Sequence, residues 1–199
     1  MSDVFKKRIY PVIFIVIITI IFITPISILN VYTKDIVKQN ETIVLKKSVL
    51  SAAGVPLPLN NQDINTYFSD YVTTVGKDKH EYFEVRDKSG NLISYVFPVD
   101  GPGLWGQIKA TLGFDSSLAT FTGIDFVSQN ETPGLGARIT EKWFRVQFRG
   151  KKGPITMVPE GTAKANNEID AITGASLTSG FIQKLVNTTD PKKLMAQAK

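Results

Sequence analysis

The sequence predicts an α+β protein: a single N-terminal transmembrane helix followed by one domain with an antiparallel sheet and flanking helices. Three observations predict it. Ile9 to Thr33 contains no charged residue, β-rich runs separated by turn residues fill the middle of the chain, and helical apolar spacing brackets those runs on both sides. Strands and helices in separate blocks favour a sheet of hairpins over alternating parallel units.

The uncharged run is Ile, Val, Phe and Leu almost throughout. At about 1.5 Å per residue, roughly 20 such residues cross a hydrocarbon core of about 30 Å. Pro11 and Pro25 read as lying near its two ends, where they interrupt the hydrogen-bond ladder least. Lys6, Lys7 and Arg8 precede the run, as they do in a cleaved signal peptide. This run is longer than the apolar part of such a peptide and no small-x-small site follows it, which favours an uncleaved anchor. The basic cluster places residues 1–8 in the cytoplasm, 9–31 in the membrane and Lys34 onward outside, an asymmetry that Lys34 and Lys38 reduce.

Residues 32–79 read as a stalk and helical region. Val31, Ile36, Val37, Ile43, Val44, Val49 and Leu50 recur at helical spacing among Lys34, Lys38, Glu41 and Lys46, so the anchor continues as an amphipathic helix. It should stop at Gly54, with Pro56 and Pro58 as breakers. A short helix over 62–73 presents Ile64, Phe68 and Tyr71. The domain then occupies 80–199. Strands are predicted over 82–86 and 92–99, around an Asp87 to Asn91 turn, and over 107–113 and 118–127. A helix over 140–148 carries Trp143, Phe144 and Phe148. A strand over 155–158 precedes a loop through Asn166 and Asn167, a helix starts near Ser176, and a last one is capped by Asp190 with Pro191 at its first position.

Composition removes several function classes. The 23 Lys+Arg and 18 Asp+Glu leave a net charge of +5, but the basic residues are dispersed, which argues against nucleic acid. The charge suits an anionic partner or lipid headgroups. With no cysteine, this chain holds no disulfide, cysteinyl flavin link or thiolate-bound cluster. His80 is the single histidine, so a multi-histidine metal site is excluded and no metal is expected. Among Lys79, Glu81 and Tyr82 it reads as a solvated surface residue.

Chemistry concentrates near the C-terminus. Asp170 to Ser179 places Thr173, Ser176, Thr178 and Ser179, with Gly174 and Ala175, at the start of a helix whose apolar face is Leu177, Phe181, Ile182, Leu185 and Val186. Helix N-termini present unpaired N–H groups, so such a turn serves either as an ordinary cap or as a phosphate site. Two glycine-rich segments lie upstream, Gly101 to Gly106 and Glu131 to Gly136. Gly103, Gly134 and Gly136 let backbone N–H groups approach a ligand with no Cβ in the way, and Pro133 stiffens its loop.

Thr173, Gly174, Ala175, Ser176, Leu177 and Thr178 resemble the flavinylation motif of the FMN-binding subunits of Rnf and Na+-translocating NADH:quinone oxidoreductase complexes. Glu131 to Gly136 and Gly101 to Gly106 resemble two further loops of that family, in the same order. The resemblance implies an extracytoplasmic FMN-binding domain with FMN joined through its phosphate to Thr178, supported by Thr173, Gly174, Ala175, Ser176 and Ser179. Ser176 stands where threonine is commoner, and keeps the hydroxyl. By the same resemblance Gly103, Leu104, Trp105 and Leu135 lie against the isoalloxazine, and Thr132 bonds its pyrimidine edge. Glu131 fixes its loop by accepting backbone N–H bonds, and Arg138 either meets phosphate or ribityl oxygens or is a plain surface residue. Trp105 has the alternative of a core tryptophan.

A threonine hydroxyl needs an adjacent base, and the neighbouring sequence offers none. The resemblance implies that a separate flavin transferase, using FAD and Mg2+, performs the attachment. It further implies an inner-membrane electron relay without catalysis of its own, in an Rnf-type ferredoxin:NAD+ oxidoreductase moving Na+ or H+, with iron–sulfur and membrane subunits as partners. The compact chain favours the G subunit of Rnf over the C subunit of the quinone reductase. Other classes remain: a membrane-tethered sensing or scaffold domain in which the hydroxyls are only a cap, or a free-standing extracytoplasmic flavin reductase. The charge-free anchor carries no expected ion path.

Overall fold

The computed structural model describes residues 5–60, 63–76 and 81–198. His80 and the boundary drawn at residues 79 and 80 lie outside them. The chain divides into two units, Met1–Thr42 and Ile43–Lys199.

The first unit is helical. A π-helical turn, Phe5–Ile9, leads into α1, Tyr10–Ala52. Every residue from Lys7 to Tyr32 is exposed. A helix apolar on all sides is stable where its solvent is lipid, because its backbone polar groups are satisfied internally. By length and composition α1 can cross a membrane. Pro25 lies inside α1, not near an end, because the helix does not stop where the apolar run does. Polar residues at the end of the run and beyond it bond back to the helix: the Thr33 hydroxyl donates to the Leu29 carbonyl at 2.9 Å and that of Thr42 to the Lys38 carbonyl at 3.0 Å.

In the second unit α1 ends as expected. Gly54 takes φ +81°, Val55 N–H donates to the Leu50 carbonyl at 2.9 Å and Gly54 N–H to Ser51 at 3.0 Å, a Schellman closure. The last turns of α1 are core, with Val49, Leu50 and Ala52 fully buried. α2, Ile64–Tyr71, then runs into β1, Val72–Val75. The helix expected through residue 73 stops short because Val72, Thr73, Thr74 and Val75 are β-branched, stiff at χ1, and pair with the next strand.

The sheet is a five-stranded antiparallel meander in chain order: β1, then β2, Tyr82–Arg86; β3, Leu92–Pro102; β4, Gln107–Phe114; and β5, Phe121–Ser128. Asp87 Oδ1 accepts the N–H groups of Ser89 and Asn91, closing the predicted turn. Alternation of side chains sorts two cores. Phe83, Val85 and Val96 pack with the end of α1 and with Ile64, whereas Tyr82, Phe97, Val99 and Ile108 join the opposite core.

That second core is covered by the C-terminal segments. A 3₁₀ turn, Gly136–Thr140, precedes α3, Lys142–Val146, then come β6, Thr156–Val158; β7, Glu168–Asp170; α4, Ser176–Thr188; and α5, Pro191–Gln197. The helix expected over 140–148 is shorter because Glu141 is extended at ψ 146° and separates it from the 3₁₀ turn. β6 and β7 form a small parallel pair. β7 has no counterpart among the expected strands, since three residues carry too little periodicity to read. Asp190 caps α5, its Oδ1 accepting from Lys192 N–H at 3.0 Å and Lys193 N–H at 3.2 Å.

Candidate functional site

The meander brings the three sequence motifs to one end of the sheet. β3 leaves and β4 returns there, with Pro102 paired to Gln107, and β5 ends there, with Ser128 opposite Lys109. Gly103 N–H donates to the Gly106 carbonyl at 2.7 Å, which closes the first loop into a tight turn. The second loop follows β5, and Leu135 and Ala137 both donate to the Thr132 carbonyl at 3.1 Å. Gly134 takes φ +74°, a conformation that glycine adopts without a steric cost.

Glu131 joins all three motifs. Its Oε1 accepts the N–H of Leu104 at 2.8 Å and of Trp105 at 3.2 Å, and its Oε2 accepts the Thr178 hydroxyl at 2.5 Å. The expected backbone bonds to Glu131 therefore come from the neighbouring loop instead of its own. Both residues are buried, Glu131 at 4% and Thr178 at 2% exposure. Glycines make room on two sides. A Cβ on Gly103 would lie 2.5 Å from Glu131 Oε1, and one on Gly136 would lie 2.6 Å from Thr178 Oγ1 and 2.7 Å from Glu131 Oε2. The fold thus sets a carboxylate beside Thr178, where the neighbouring sequence offers none. The carboxylate is 47 residues away in sequence and could not be seen as adjacent.

The start of α4 is open. Ala175 sits at its N-cap position and no side chain caps it, so the hydroxyls of this turn are not performing the ordinary capping role. Thr173, Gly174 and Ser176 are exposed at its mouth, and Ala175 is buried. Ser179 is placed differently from the expectation of a ligand contact. It is buried, accepts Ile172 N–H at 3.0 Å and donates to the Ala175 carbonyl at 3.0 Å, so it pins the turn from inside.

Around the mouth lie exposed apolar side chains: Leu104, Trp105, Leu135 and Leu177. Trp105 is 67% exposed, which decides against a core tryptophan. Thr132, Pro133 and Gly134 form the exposed crest of the second loop. Leu135 lies against Gly174, where an added Cβ would approach it to 3.0 Å.

Arg138 is engaged elsewhere. Its guanidinium reaches Glu141 at 3.4 Å and Glu160 at 3.5 Å and lies 5.1 Å from the Trp143 ring centroid. Glu160 in turn accepts the Thr173 N–H at 3.0 Å. The Thr173 backbone and side chain, and then Arg138, hold the Glu160 carboxyl below its ordinary range. Glu160 is absent from the residues expected in the site, because a lone acidic residue in a polar loop carries no periodic signal.

Fold and site together define a flavin-nucleotide domain: residues 103–189 match the family described as FMN-binding domain. Among relatives, the chain is 40% identical over 105 residues to the C subunit of the Na(+)-translocating NADH-quinone reductase of Vibrio anguillarum, covering 48% of this chain and 41% of that protein. It is 34% identical over 98 residues to the G subunit of the ion-translocating oxidoreductase complex of Methanosarcina acetivorans, covering 49% of this chain and 50% of the relative. The chain thus spans half or less of the length of these curated relatives. The crystal structure of Shewanella oneidensis NqrC shares the fold with a TM-score of 0.68 at 22% identity, covering 77% of this chain and 95% of that one. The crystal structure of the C subunit of the same kind of reductase from Parabacteroides distasonis gives 0.65 at 24% identity, over 76% and 90% of the two chains. The chain thus carries a match to the FMN-binding domain over residues 103–189 and is similar over about half its length to the C and G subunits of these two complexes.

The residues present fit that cofactor. Uncapped N–H groups at the start of α4 suit a phosphate, and the exposed apolar side chains beside it suit a planar ring.

Proposed function

We propose that this chain is a membrane-anchored electron carrier that holds FMN through a phosphoester to Thr178, as a component of an ion-translocating oxidoreductase of the Rnf type. The observation that carries this reading is the convergence of the Gly103 loop, the Glu131 loop and the start of α4 on the Glu131–Thr178 pair. When bound, FMN supplies the redox chemistry, and the protein supplies position and electrostatics. Trp105, Leu104 and Leu135 would hold the ring, Gly134 and Thr132 would meet its polar groups, and Thr173 and Ser176 would hold the phosphate. Arg138 acts at one remove, by holding Glu160 against the Thr173 turn.

The anchor is α1, with Lys7 and Arg8 on the cytoplasmic side and the flavin domain outside. A tether is useful there, since flavin lost outside the membrane is hard to replace. Partners are the membrane and iron–sulfur subunits of the complex, a flavin transferase for attachment, and lipid around α1. The match to the C subunit of the quinone reductase favours a second reading, the same carrier in the NADH:quinone oxidoreductase.

The test is expression of the full chain with a flavin transferase, followed by denaturation and a search for in-gel flavin fluorescence and the mass of an FMN adduct. An adduct that disappears in Thr178→Ala supports the reading, and an adduct that persists there overturns the site. Co-purification with ferredoxin-type subunits separates Rnf from the quinone reductase.

A further inference from the structure

We infer that Glu131 is the proton acceptor for flavin attachment, a catalytic group that the modified protein itself contributes. This rests on the reading of Thr178 as the attachment site. Three features of the structure carry it. The Glu131 carboxylate touches the oxygen that would react, with Oε2 2.5 Å from Thr178 Oγ1. It is buried, yet none of the described ion pairs includes it, so only neutral donors hold it. A buried carboxylate without a cation is costly to keep. Finally, glutamine could accept the Leu104 and Trp105 N–H bonds equally well, so bridging the loops does not by itself call for a carboxylate. Taking a proton from Thr178 does.

In this step Thr178 Oγ1 attacks the FMN-side phosphorus of FAD held by the transferase. A new Oγ1–P bond forms, the anhydride P–O bond breaks, and its electron pair leaves on AMP. The Thr178 proton passes to Glu131 Oε2. Protonated Glu131 then becomes a donor and removes a like charge from beside the phosphodiester. Leu104 and Trp105 fix Glu131 from the first loop, and Gly136 packs against both Glu131 and Thr178.

The experiment uses the full chain in detergent with transferase, FAD and Mg2+, and compares wild type, Thr178→Ala and Glu131→Gln in single-turnover adduct formation. Melting temperature and affinity for free FMN are recorded on each. The expected result is an adduct rate about 100-fold lower in Glu131→Gln, measured with both forms saturated by FAD-loaded transferase. A Glu131→Gln rate within about threefold of wild type overturns the inference and leaves the attachment site intact, since general-base contributions are typically far larger. Adduct surviving in Thr178→Ala, or none in wild type, removes the underlying reading instead. If Glu131→Gln fails to fold, Glu131→Asp decides, since it keeps a carboxylate: adduct formation retained there supports the inference, and its loss in a folded Glu131→Asp overturns it.

Discussion

Gly136 lies against the Thr178 hydroxyl so closely that a methyl group there would stand 2.6 Å from Thr178 Oγ1, 2.7 Å from Glu131 Oε2 and 3.0 Å from Glu131 Cβ. These contacts are with buried side chains bonded to each other, which have little freedom to move aside. Gly136→Ala should therefore destabilise the domain by about 1–3 kcal/mol, the usual range for overpacking. It should also displace the hydroxyl and reduce adduct formation more than it reduces the folded fraction. Thermal melts beside in-gel flavin fluorescence check this, and unchanged attachment would show that the hydroxyl tolerates displacement.

The elements are legible in the sequence where chemistry is local. The end of α1 at Gly54, the Asp87 turn, the Asp190 cap and the strands β2 to β5 each follow from residues within a few positions of one another. What stays hidden depends on distance in the chain. Glu131 meets Thr178 only because β5 ends and α4 begins at the same end of the sheet. Arg138 reads as either a phosphate or ribityl partner or a plain surface residue, and only the fold shows Glu160 beside it. β1 and β7 are too short to declare themselves before their partners are known.

Trp105 separates binding from stability. At 67% exposure its side chain contributes little to the core, so Trp105→Ala should change stability by no more than about 0.5 kcal/mol, as exposed substitutions do. If the indole covers the isoalloxazine, the same change brightens the bound flavin, because a stacked indole quenches its emission. Fluorescence lifetimes of wild type and variant, each carrying flavin, provide the measurement. Equal lifetimes would place the ring away from Trp105.

Glu160 gives a pH dependence with a defined sign. Its carboxyl is held below the ordinary value of 4.5, first by the Thr173 N–H and hydroxyl and then by Arg138. A depressed folded-state pKa adds stability that is present above 4.5 and lost as pH falls through the folded value. Glu160→Gln should therefore melt below wild type near neutral pH and approach it under acid conditions. Melting temperature followed from neutral pH down through the carboxylate range tests this. A constant gap across that range would mean that the Thr173 turn does not depend on the charge.

The end of α1 is tied to the sheet by the Thr122 hydroxyl, which donates to the Ala52 carbonyl at 2.8 Å and lies 2.8 Å from Ser94 Oγ. Ala52 is the last residue of α1, so its carbonyl has no intrahelical donor and depends on this partner. Gly113 and Gly123 let the strands approach it, since an added Cβ would meet the Ala52 oxygen at 2.5 Å and 2.9 Å respectively. Thr122→Val keeps the shape and removes the donor, leaving a buried acceptor unpaired at a cost of about 1–3 kcal/mol. Gly113→Ala should cost more than Thr122→Val, because an added Cβ collides with both the Thr122 hydroxyl and the Ala52 oxygen, and the latter is backbone and cannot rotate away. Thermal melts of the full chain in detergent rank the two. The reverse order would show that the end of α1 can shift on the sheet and that Thr122 is its main restraint.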